Sequence, residues 1–488
     1  MTDHRIPDAY REIADFYDEL APRDDQWVRK VDAYRELVHG VYSTLIPPGH
    51  RVLEIGSARG DLLATLRPSR GVGVDVSEAM VAVARDRYPE LEFVHAAGED
   101  FDGDEKFDYV VLSDLAPFVE DLQRLFESVR RQAGPSTRVI LNTFNNAWRP
   151  VVAVADALGL RPPHPMRNWV APKDLDNLLS LAGFEVVTRR RELLLPMHAG
   201  LLSTIANGLL VRLPLLRSLA STYWVVARPA PEPRPEASVS VIVPCRNEAQ
   251  MIDSIVERIP DMGSGTEIVF AEGGSSDDTR ERIQAAIERR SDRDIRLVVQ
   301  TGRGKANAVR EAFAAAENDI LMILDGDLTV MPEDLPKFYD GLASGRGDLL
   351  IGARLVYGME PGAMRFLNLL GNKFFAWLMS FVLGQYAKDT LCGTKALRRE
   401  DYERMAVRRH EFEVEDPFAD FELLLGASLL GLTILNIPVR YRARVHGEPQ
   451  IDRFPDGATL FKLALAGFRR IWIQPVSERS QPARHVRR

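Results

Sequence analysis

Apolar residues recur along the chain in short runs, and segments with helical spacing separate these runs. In the first half, such segments are Glu78–Tyr88 and Glu120–Gln132. The apolar runs of this half, which have the composition of buried strands, are 51–55, 71–76, 91–96, 107–113 and 138–144. Alternation of strands with amphipathic helices is typical of an α/β domain. The pattern therefore predicts a parallel, doubly wound sheet in the first half of the chain.

The second half repeats this alternation. Its strand-like runs are 239–244, 267–272, 295–300, 320–325 and 348–353. Between the halves, the segment 228–237 (RPAPEPRPEA) has proline at alternate positions, which disfavours helix and sheet interiors and is typical of an extended spacer. We therefore expect an N-terminal domain over 1–227, a linker over 228–237, a second α/β domain over 238–474 and a disordered basic tail over 475–488.

Composition narrows the class of protein. Hydrophobic residues make up 45% and charged residues 27% of the 488 residues, as in ordinary globular proteins. The net charge of −8 argues against a nucleic-acid-binding protein. Two cysteines without clustered histidines provide neither a disulfide framework nor a zinc site. The N-terminus lacks the pattern of a signal peptide, and the apolar stretch 374–384 is too short to span a bilayer, so we expect a cytoplasmic protein.

A glycine-containing turn follows the first strand of the N-terminal half. Gly56 and Gly60 lie between the strand 51–55 and a helix predicted to start at Asp61. Glycines let a backbone approach a ligand closely, and a helix N-terminus favours polar or anionic groups. Asp75 ends the next strand, where an acid commonly binds ribose hydroxyls. These features predict a nucleotide-like ligand at the strand ends.

These motifs resemble those of the class I S-adenosylmethionine-dependent methyltransferases. EIGSARG (54–60) is similar to the first motif of that family, and VGVDVSEAM (72–80) to the second. Ala58 replaces a glycine of the first motif, and we expect it to keep a negative φ. The resemblance implies S-adenosylmethionine as cofactor and a site that includes Glu54, Gly56, Gly60, Asp75, Gly98, Glu99, Asp100 and Ser113. It does not identify the methyl acceptor, and a methyltransferase-like module without turnover is the alternative.

Leucines and isoleucine follow a helical spacing in the segment 193–221, before the last part of this half. They are Leu201, Leu202, Ile205, Leu209 and Leu210. Three interpretations remain open: a lid over the acceptor site, an amphipathic element at a membrane interface, or a helix packed within the protein.

In the second half, Asp325, Gly326 and Asp327 follow an apolar strand. Two carboxylates that flank a glycine at a strand end can converge on one divalent cation. Mg²⁺ or Mn²⁺ is typically held by few carboxylates together with substrate phosphate oxygens. The turn therefore predicts a metal site at Asp325 and Asp327, whose cation would help a diphosphate to leave.

Three further segments, 241–248, 267–279 and 301–308, together with this turn resemble family 2 inverting glycosyltransferases of the GT-A fold. Within that family the chain is most similar to dolichol-phosphate or polyprenyl-phosphate sugar synthases. The resemblance implies a nucleotide-sugar site built from Pro244, Arg246, Glu248, Glu272, Gly304, Lys305, Asp325 and Gly326. Glu272 replaces the usual aspartate that pairs with the base, and Thr329 stands where relatives often have a further oxygen ligand.

Arg354 and Arg444 match family arginines that bind phosphates, and their planar guanidinium groups suit phosphate oxygens. Where relatives have a lysine after Arg444, this chain has Gln450, for which Arg453 is a candidate replacement. An inverting transfer to a hydroxyl needs a carboxylate that takes the proton. Asp420 is the first candidate and Glu422 the second, with capping of the helix that follows as the alternative for either residue.

Lys395 lies in a segment, 389–395, that resembles a loop near the acceptor phosphate, although a surface lysine is the other interpretation. Membrane contact is suggested by the apolar segment 364–385, with Trp377 near the headgroups, and by the amphipathic segment 460–473. Arginines after Ala466 would attract anionic lipid. Ordinary core helices with a solvated tail are the alternative.

Taken together, the motifs predict a bifunctional enzyme. The C-terminal half would transfer a sugar from GDP-mannose or a UDP-hexose to a polyprenyl-phosphate acceptor, and the N-terminal half would methylate an unidentified acceptor. We expect peripheral contact with the inner face of the plasma membrane and no nucleic-acid partner. The alternative is a transferase acting on a soluble saccharide or natural-product hydroxyl, with a non-catalytic methyltransferase-like module.

Overall fold

The computed structural model describes residues 6–158, 168, 170–197, 199–213, 215–358, 360, 364, 366–412, 414–444 and 453–473. Contacts between residues divide the chain into two compact units, one formed by the residues up to Ala230 together with Trp472 and the other by Pro231–Ile471. Gln450 and the predicted tail 475–488 lie outside the described residues, as does the side chain of Arg453.

The first unit is built on a seven-stranded sheet with helices between its strands. The strands are β1 (Arg51–Ile55), β2 (Arg70–Asp75), β3 (Glu92–His95), β4 (Phe107–Ser113), β5 (Ala133–Phe144), β6 (Phe184–Glu192) and β7 (Thr222–Pro229). The helices are α1 (Arg11–Leu20), α2 (Asp24–Leu45), α3 (Asp61–Thr65), α4 (Glu78–Arg87), α5 (Leu122–Gln132), α6 (Arg149–Ala157), α7 (Pro172–Leu181) and α8 (Leu201–Gly208).

The strand order of this sheet is β3-β2-β1-β4-β5-β7-β6. The first five strands along the chain are parallel, but β7 pairs antiparallel with both β5 and β6. The prediction of an all-parallel sheet is therefore wrong, because β7 enters between two strands that run the other way. The order reverses between β1 and β4, and ligands of doubly wound sheets bind outside the carboxyl ends of the strands at this point.

The second unit contains another seven-stranded sheet. Its strands are β8 (Val239–Cys245), β9 (Thr266–Glu272), β10 (Asp294–Val299), β11 (Ile320–Ile323), β12 (Leu349–Ala353), β13 (Lys395–Arg398) and β14 (Ile434–Pro438). Its helices are α9 (Ile252–Arg258), α10 (Thr279–Arg289), α11 (Lys305–Ala315), α12 (Leu335–Ala343), α13 (Phe366–Leu383), α14 (Arg399–Arg408), α15 (Asp420–Leu429) and α16 (Arg453–Trp472).

The second sheet has the order β10-β9-β8-β11-β13-β12-β14, and β13 pairs antiparallel with both of its neighbours. The prediction of two α/β domains is confirmed, but this sheet is also mixed. Its order reverses between β8 and β11, so the carboxyl ends of these strands are where a ligand of this sheet is expected. Buried valine, isoleucine, leucine and phenylalanine side chains of strands and flanking helices form one core cluster around it.

The segment expected to be a linker begins inside a strand. Arg228 and Pro229 belong to β7, where they pair with Glu185 and Phe184 of β6. Proline is tolerated there because it stands at the end of the strand, where few ladder hydrogen bonds remain to be lost. The extended part of the segment therefore starts after Pro229.

Candidate functional site

A cavity of about 510 Å³ lies at the carboxyl ends of β1, β2 and β4 in the first unit. This volume is in the range of small-molecule sites. Six of the eight residues predicted to bind the cofactor line it: Glu54, Gly56, Asp75, Gly98, Glu99 and Ser113. The other two are next to lining residues in the chain: Gly60, between Arg59 and Asp61, caps α3 with φ of 76°, and the Asp100 carboxylate accepts a hydrogen bond from Arg124 at 3.0 Å.

The turn after β1 keeps a left-handed backbone where the sequence has alanine. Gly56 and Gly60 have φ of 77° and 76°, and Ala58 has φ of 43°. The expectation of a negative φ at Ala58 is wrong. Asp75 holds this conformation, because its carboxylate accepts hydrogen bonds from the backbone N–H groups of Ala58 at 2.8 Å and Ser77 at 2.9 Å. Burial raises the pKa of Asp75.

Polar atoms in the wall of the cavity fit a bound cofactor. Glu54 Oε2 and Ser57 Oγ are buried and have no hydrogen-bond partner among the described residues. Burial also raises the pKa of Glu54 well above its usual value. Buried polar groups are normally hydrogen-bonded, so these two atoms point to a ligand with its own polar groups. Together with Asp75 for ribose hydroxyls, they could hold S-adenosylmethionine, whose reactive methyl group would come from the cofactor itself.

Two N-terminal helices contribute residues that sequence reasoning missed. Tyr10, Ile13 and Tyr17 of the α1 region line the cavity, and the Tyr10 hydroxyl donates to Glu99. Tyr34 and His39 come from α2. The spacing of Tyr10, Ile13, Tyr17 and Leu20 along the sequence is that of one helix face, and this was the available signal.

The segment 193–221 borders the same cavity. It forms α8 and two short 3₁₀ turns, 210–212 and 216–219, and its flanking residues Pro196 and Ser221 line the cavity. In α8 the small residues Ser203 and Ala206 face inward, whereas Leu201 is 75% exposed. Leu202, Ile205, Leu209, Leu213, Leu215 and Leu219 are exposed as well. Leu210 is half-buried, and α8 packs on its own unit through its small residues. The exposed leucines do not pack in the core, so all three interpretations of the segment stay open.

In the second unit, the Asp-Gly-Asp turn lies against the carboxyl end of β8. A Cβ atom at Gly326 would be 3.3 Å from the Pro244 carbonyl oxygen and 3.5 Å from Glu248 Cγ. Pro244, Glu248 and Gly326, which the sequence assigned to one nucleotide-sugar site, are thus brought together at the point where the strand order reverses. Burial and the nearby Asp327 carboxylate raise the pKa of Glu248 to about 7.

Each carboxylate of the Asp-Gly-Asp turn forms an ion pair with a basic side chain. Lys305 Nζ lies 2.5 Å from Asp325 Oδ1, and Arg444 Nη2 lies 2.5 Å from Asp327 Oδ2. Burial would raise the pKa of Asp325, but the charge of Lys305 holds it below its usual value. Lys305 opens α11 directly after Gly304, so the helix N-terminus also faces this region. The arrangement places positive groups beside the two carboxylates, as a diphosphate site requires.

The donor atoms of the turn suit a hard divalent cation. The carboxylates of Asp325 and Asp327 are accompanied by Thr329, whose hydroxyl lies 2.9 Å from Asp327 Oδ1. Among the described residues, no group of three His, Cys, Asp or Glu side chains is placed to hold a metal ion. Two carboxylates with substrate phosphate oxygens would be the expected ligand set for Mg²⁺ or Mn²⁺.

The other predicted nucleotide-sugar residues lie at the ends of the neighbouring strands. Glu272 ends β9, is buried, and accepts a hydrogen bond from the Ser275 backbone N–H at 2.5 Å. Arg246 is exposed just after β8. Gly393, in the loop before β13, lies against the Asp-Gly-Asp turn, since a Cβ there would lie 2.2 Å from Asp325 Oδ2. This contact brings the loop 389–395 to the Asp-Gly-Asp turn.

Arg354 forms a buried ion pair with Asp389. Its guanidinium makes two hydrogen bonds to the Asp389 carboxylate, Nε at 2.7 Å and Nη2 at 2.9 Å, and only 9% of Arg354 is exposed. A fork-to-fork pair of this kind fixes the orientation of the arginine. Arg354 therefore orients the 389–395 loop in this structure, and its direct contact with phosphate stays a prediction.

The two candidate bases differ in their surroundings. Asp420 accepts a hydrogen bond from Lys395 at 2.5 Å. Because Lys395 is fully buried, its interpretation as a surface residue is wrong. Glu422 is held by Arg310 and Arg409. The acid that caps α15 is Asp416, which accepts from the backbone N–H groups of Phe421 at 2.7 Å and Glu422 at 2.8 Å. Neither candidate base caps the helix, and Glu422 is the more completely neutralised.

An apolar surface runs along α13. Phe366, Leu367, Leu370, Phe374 and Trp377 are exposed, and Trp377 is 67% exposed. The opposite face packs inward, where the rings of Phe375 and Phe421 are 5.7 Å apart. Phe381 of α13 stacks on Phe468 of α16 at 5.7 Å, which joins the exposed Phe461 and Leu465 to the same apolar region.

Two details of the predicted membrane contact need correction. Of the described helices, α13 alone is long and apolar enough to cross a membrane, by length and composition only. The sequence prediction counted only the apolar stretch 374–384, whereas α13 has 18 residues because it continues through polar positions before that stretch. Its length therefore does not exclude a membrane crossing. Arg470 is buried and paired with Glu411 at 2.5 Å, so it cannot meet lipid headgroups.

Comparison with known proteins identifies both units. A family model described as glycosyl transferase family 2 matches residues 240–405, and one described as a methyltransferase domain matches residues 7–189. A dolichyl-phosphate hexose transferase of Haloferax volcanii is 33% identical over 225 residues, which cover 46% of this chain and 91% of that protein. The chain belongs to glycosyl transferase family 2. Both resemblances recognised in the sequence are thereby confirmed.

Further relatives match one half of the chain each. The family 2 domain is 33% identical to glycosyltransferase AglJ of Haloferax volcanii over 231 residues, which are 47% of this chain and 71% of that protein. A solved S-adenosylmethionine-dependent methyltransferase of Thermotoga maritima aligns over 44% of this chain and 98% of its own length, with 16% identity and a TM-score of 0.33.

Proposed function

We propose that the family 2 domain transfers a hexose from a nucleotide-sugar donor to a polyprenyl phosphate with inversion, and that the first unit is an S-adenosylmethionine-dependent methyltransferase. The observation that carries the first proposal is the convergence of Glu248, Asp325, Asp327, Lys305 and Arg444 at the reversal point of the second sheet. The similarity to a dolichyl-phosphate hexose transferase supports the acceptor class.

The residues of this site have separable roles in the proposal. Lys305, the N-terminus of α11 and Arg444 would bind the diphosphate of the donor by charge, and Glu248 would bind the ribose. A divalent cation held by Asp325 and Asp327 would neutralise the leaving diphosphate. Since the oxygen of a phosphate acceptor is already anionic, Asp420 and Lys395 would orient the acceptor, and a base is needed only for a hydroxyl acceptor.

The apolar surface of α13 and α16 supports a lipid-linked acceptor. A polyprenyl chain stays in the bilayer, so the enzyme must work at the membrane surface. Exposed Phe366, Leu370 and Trp377 lie on one side of a helix whose other side is anchored in the domain, an arrangement suited to lying in the interface. We propose peripheral contact on the cytoplasmic face, where nucleotide sugars are available.

The methyltransferase proposal rests on the cavity of the first unit. Unpartnered Glu54 Oε2 and Ser57 Oγ, the ribose-type acid Asp75 and the left-handed turn support S-adenosylmethionine as its ligand. The segment that carries the exposed leucines of 201–219 reaches this cavity through Pro196 and Ser221, and these leucines support a methyl acceptor that is itself attached to lipid.

Incubation of the full chain with GDP-mannose or UDP-glucose, Mg²⁺ and a polyprenyl phosphate tests the sugar transfer. We expect a sugar-lipid product that requires Asp327 and is lost on addition of a chelator. Absence of a product with every donor tested would refute the lipid-phosphate acceptor. Transfer to a soluble saccharide instead would establish the alternative, in which a hydroxyl is the acceptor and Asp420 takes its proton.

Isothermal titration with S-adenosylmethionine tests the first unit separately. Binding is expected in the micromolar range typical of enzyme substrates. Absence of binding by both S-adenosylmethionine and S-adenosylhomocysteine would favour a methyltransferase-like module without turnover.

A further inference from the structure

Asp114 lies directly after β4, at the reversal point of the first sheet, and lines the cavity. Its backbone has φ of 48°, a left-handed conformation that a non-glycine residue adopts at a cost. Strained residues of this kind cluster at ligand sites. The next side chain, Leu115, packs over the glycine turn, since a Cβ at Gly56 would lie 2.8 Å from Leu115 Cδ1. The end of β4 and the turn after β1 thus form neighbouring parts of one wall.

The carboxylate of Asp114 is held in place from two elements. Tyr34 of α2 donates its hydroxyl to Oδ2 at 2.9 Å, and Asn142 of β5 donates its amide to Oδ1 at 2.7 Å. The orientation of Asn142 is set in turn by Tyr42, whose hydroxyl donates to Asn142 Oδ1 at 2.8 Å. Each carboxylate oxygen keeps one acceptor position for a ligand. The group is therefore oriented before any ligand binds.

The strand order tells which part of the cofactor would reach Asp114. Asp75 on β2 would bind the ribose, and the neighbouring strand towards the edge is β3. On the other side of β2 come β1 and then β4. The rest of the cofactor, which carries the sulfonium group, would therefore extend past Gly56 towards the end of β4, where Asp114 is the acidic residue of the wall.

We propose that Asp114 recognises the positive sulfonium centre of S-adenosylmethionine and thereby distinguishes the methyl donor from its neutral product, S-adenosylhomocysteine. This inference rests on the proposed cofactor of the first unit and adds a charge-selective residue to it. A fixed anion in a partly buried cavity attracts a cation much more strongly than in water. Product release is favoured because the attraction disappears when the methyl group has been transferred.

The charged and polar groups around Asp114 should make binding of S-adenosylmethionine depend on pH. Burial raises the pKa of Asp114 to about 7, against the opposing effects of hydrogen bonds from Tyr34 and Asn142 and of the charge on Arg35. Other titratable groups that line the same cavity include His39, Glu54 and Asp61, and the charge of Asp114 acts on Tyr42. Burial and Arg35 lower the pKa of His39, and burial raises that of Tyr42. A bound cation favours the ionised form of Asp114, so donor binding should release protons near pH 7 and should tighten as the pH rises.

Isothermal titration of the full chain with S-adenosylmethionine and with S-adenosylhomocysteine, in buffers of different ionisation enthalpy, tests this proposal. At pH 7 we expect release of up to about half a proton with the donor and clearly less with the product. Asp114→Asn should weaken donor binding at pH 8 by about tenfold or more, with product binding changed less than about threefold. Tyr34→Phe should move the pH midpoint of donor binding upward, because it removes a hydrogen bond that lowers the pKa of Asp114.

Asp86→Asn makes the same chemical change at an exposed position of α4 and is the matched control. It should change the binding of neither S-adenosylmethionine nor S-adenosylhomocysteine. Equal weakening of donor and product by Asp114→Asn, or equal proton release with both ligands, would mean that Asp114 only supports the structure, and would overturn the proposal. If neither ligand binds the unmodified protein, the cofactor assignment itself fails, a result that is distinguishable from failure of the charge selectivity.

Discussion

Arg444 and Asp327 form an ion pair between groups that both belong to the proposed donor site, with 2.5 Å between Nη2 and Oδ2. Lys305 makes the corresponding contact with Asp325. The two carboxylates that would bind a cation are thus each paired with a basic side chain. A metal ion must compete with these side chains, which would then be free to bind the diphosphate that arrives with it.

The competition can be measured with Arg444→Ala. Because Asp327 loses its ion-pair partner, Mn²⁺ should bind the donor-free protein several-fold more tightly, as followed by electron paramagnetic resonance of free Mn²⁺. Sugar transfer should fall by about tenfold or more, since a charged hydrogen bond of roughly 1.5–3 kcal/mol to the diphosphate is lost. Arg442→Ala removes a largely exposed arginine nearby and serves as control. Weaker Mn²⁺ binding by Arg444→Ala would contradict this competition.

The buried pair of Lys395 and Asp420 separates a structural role from a chemical one. Asp420→Asn leaves the fully buried ammonium of Lys395 without its carboxylate and should destabilise the second unit by about 3–5 kcal/mol. The double variant Asp420→Asn/Lys395→Met removes both charges and should recover most of the melting temperature. If the pair orients the acceptor, sugar transfer stays low in the double variant. Recovery of transfer together with stability would show that the pair is only structural.

A substitution at Gly393 tests the close approach of the 389–395 loop to the Asp-Gly-Asp turn. A Cβ there would meet Asp325 Oδ2 at 2.2 Å and Lys305 Nζ at 2.5 Å, so Gly393→Ala must displace both groups. We expect at least a tenfold loss of sugar transfer and weaker donor binding by fluorescence titration. Gly358→Ala is the matched control, because a Cβ at that position would have no heavy atom within 4 Å. Unchanged donor binding by Gly393→Ala would separate the loop from the donor site.

The exposed face of α13 predicts lipid binding. Leu370→Gln/Trp377→Gln should reduce sedimentation with vesicles that contain anionic lipid by about tenfold or more, since burial of each large apolar side chain contributes about 1.5–3 kcal/mol. Thermal stability should be unchanged because both side chains face solvent. Val407→Gln, at an exposed apolar position of α14, is the control. Equal vesicle binding by all three proteins would exclude this face as the contact.

Much of the site could be predicted because its residues follow strands in recognisable turns. Glu54, Gly56 and Asp75 were found in this way, as were Glu248, Asp325 and Asp327, and strand ends bring each group together. The partners of these residues could not be predicted. Arg444 and Asp327 are 117 positions apart in sequence, and their pairing depends on which strand ends meet.

Strand β13 could not be predicted from the sequence because it contains buried charged side chains. All four residues of β13 (KALR) are buried although half of them are basic. Lys395 is satisfied by Asp420, and the Arg398 guanidinium donates to the Leu342 carbonyl oxygen at 3.0 Å. A strand whose charges are paired inside the protein has no apolar pattern, so periodicity cannot detect it.

The sequence by itself determined that there are two α/β units, which strand ends carry the candidate sites, and which two enzyme families the units resemble. These properties depend on short-range patterns of burial, turn residues and spacing. Only the tertiary structure decided that β7 and β13 run antiparallel, that Asp416 rather than Asp420 caps α15, and that Tyr34 and Asn142 hold Asp114. Such features depend on contacts between distant segments, whose energies are set by the order of strands in the sheet and leave no local signal.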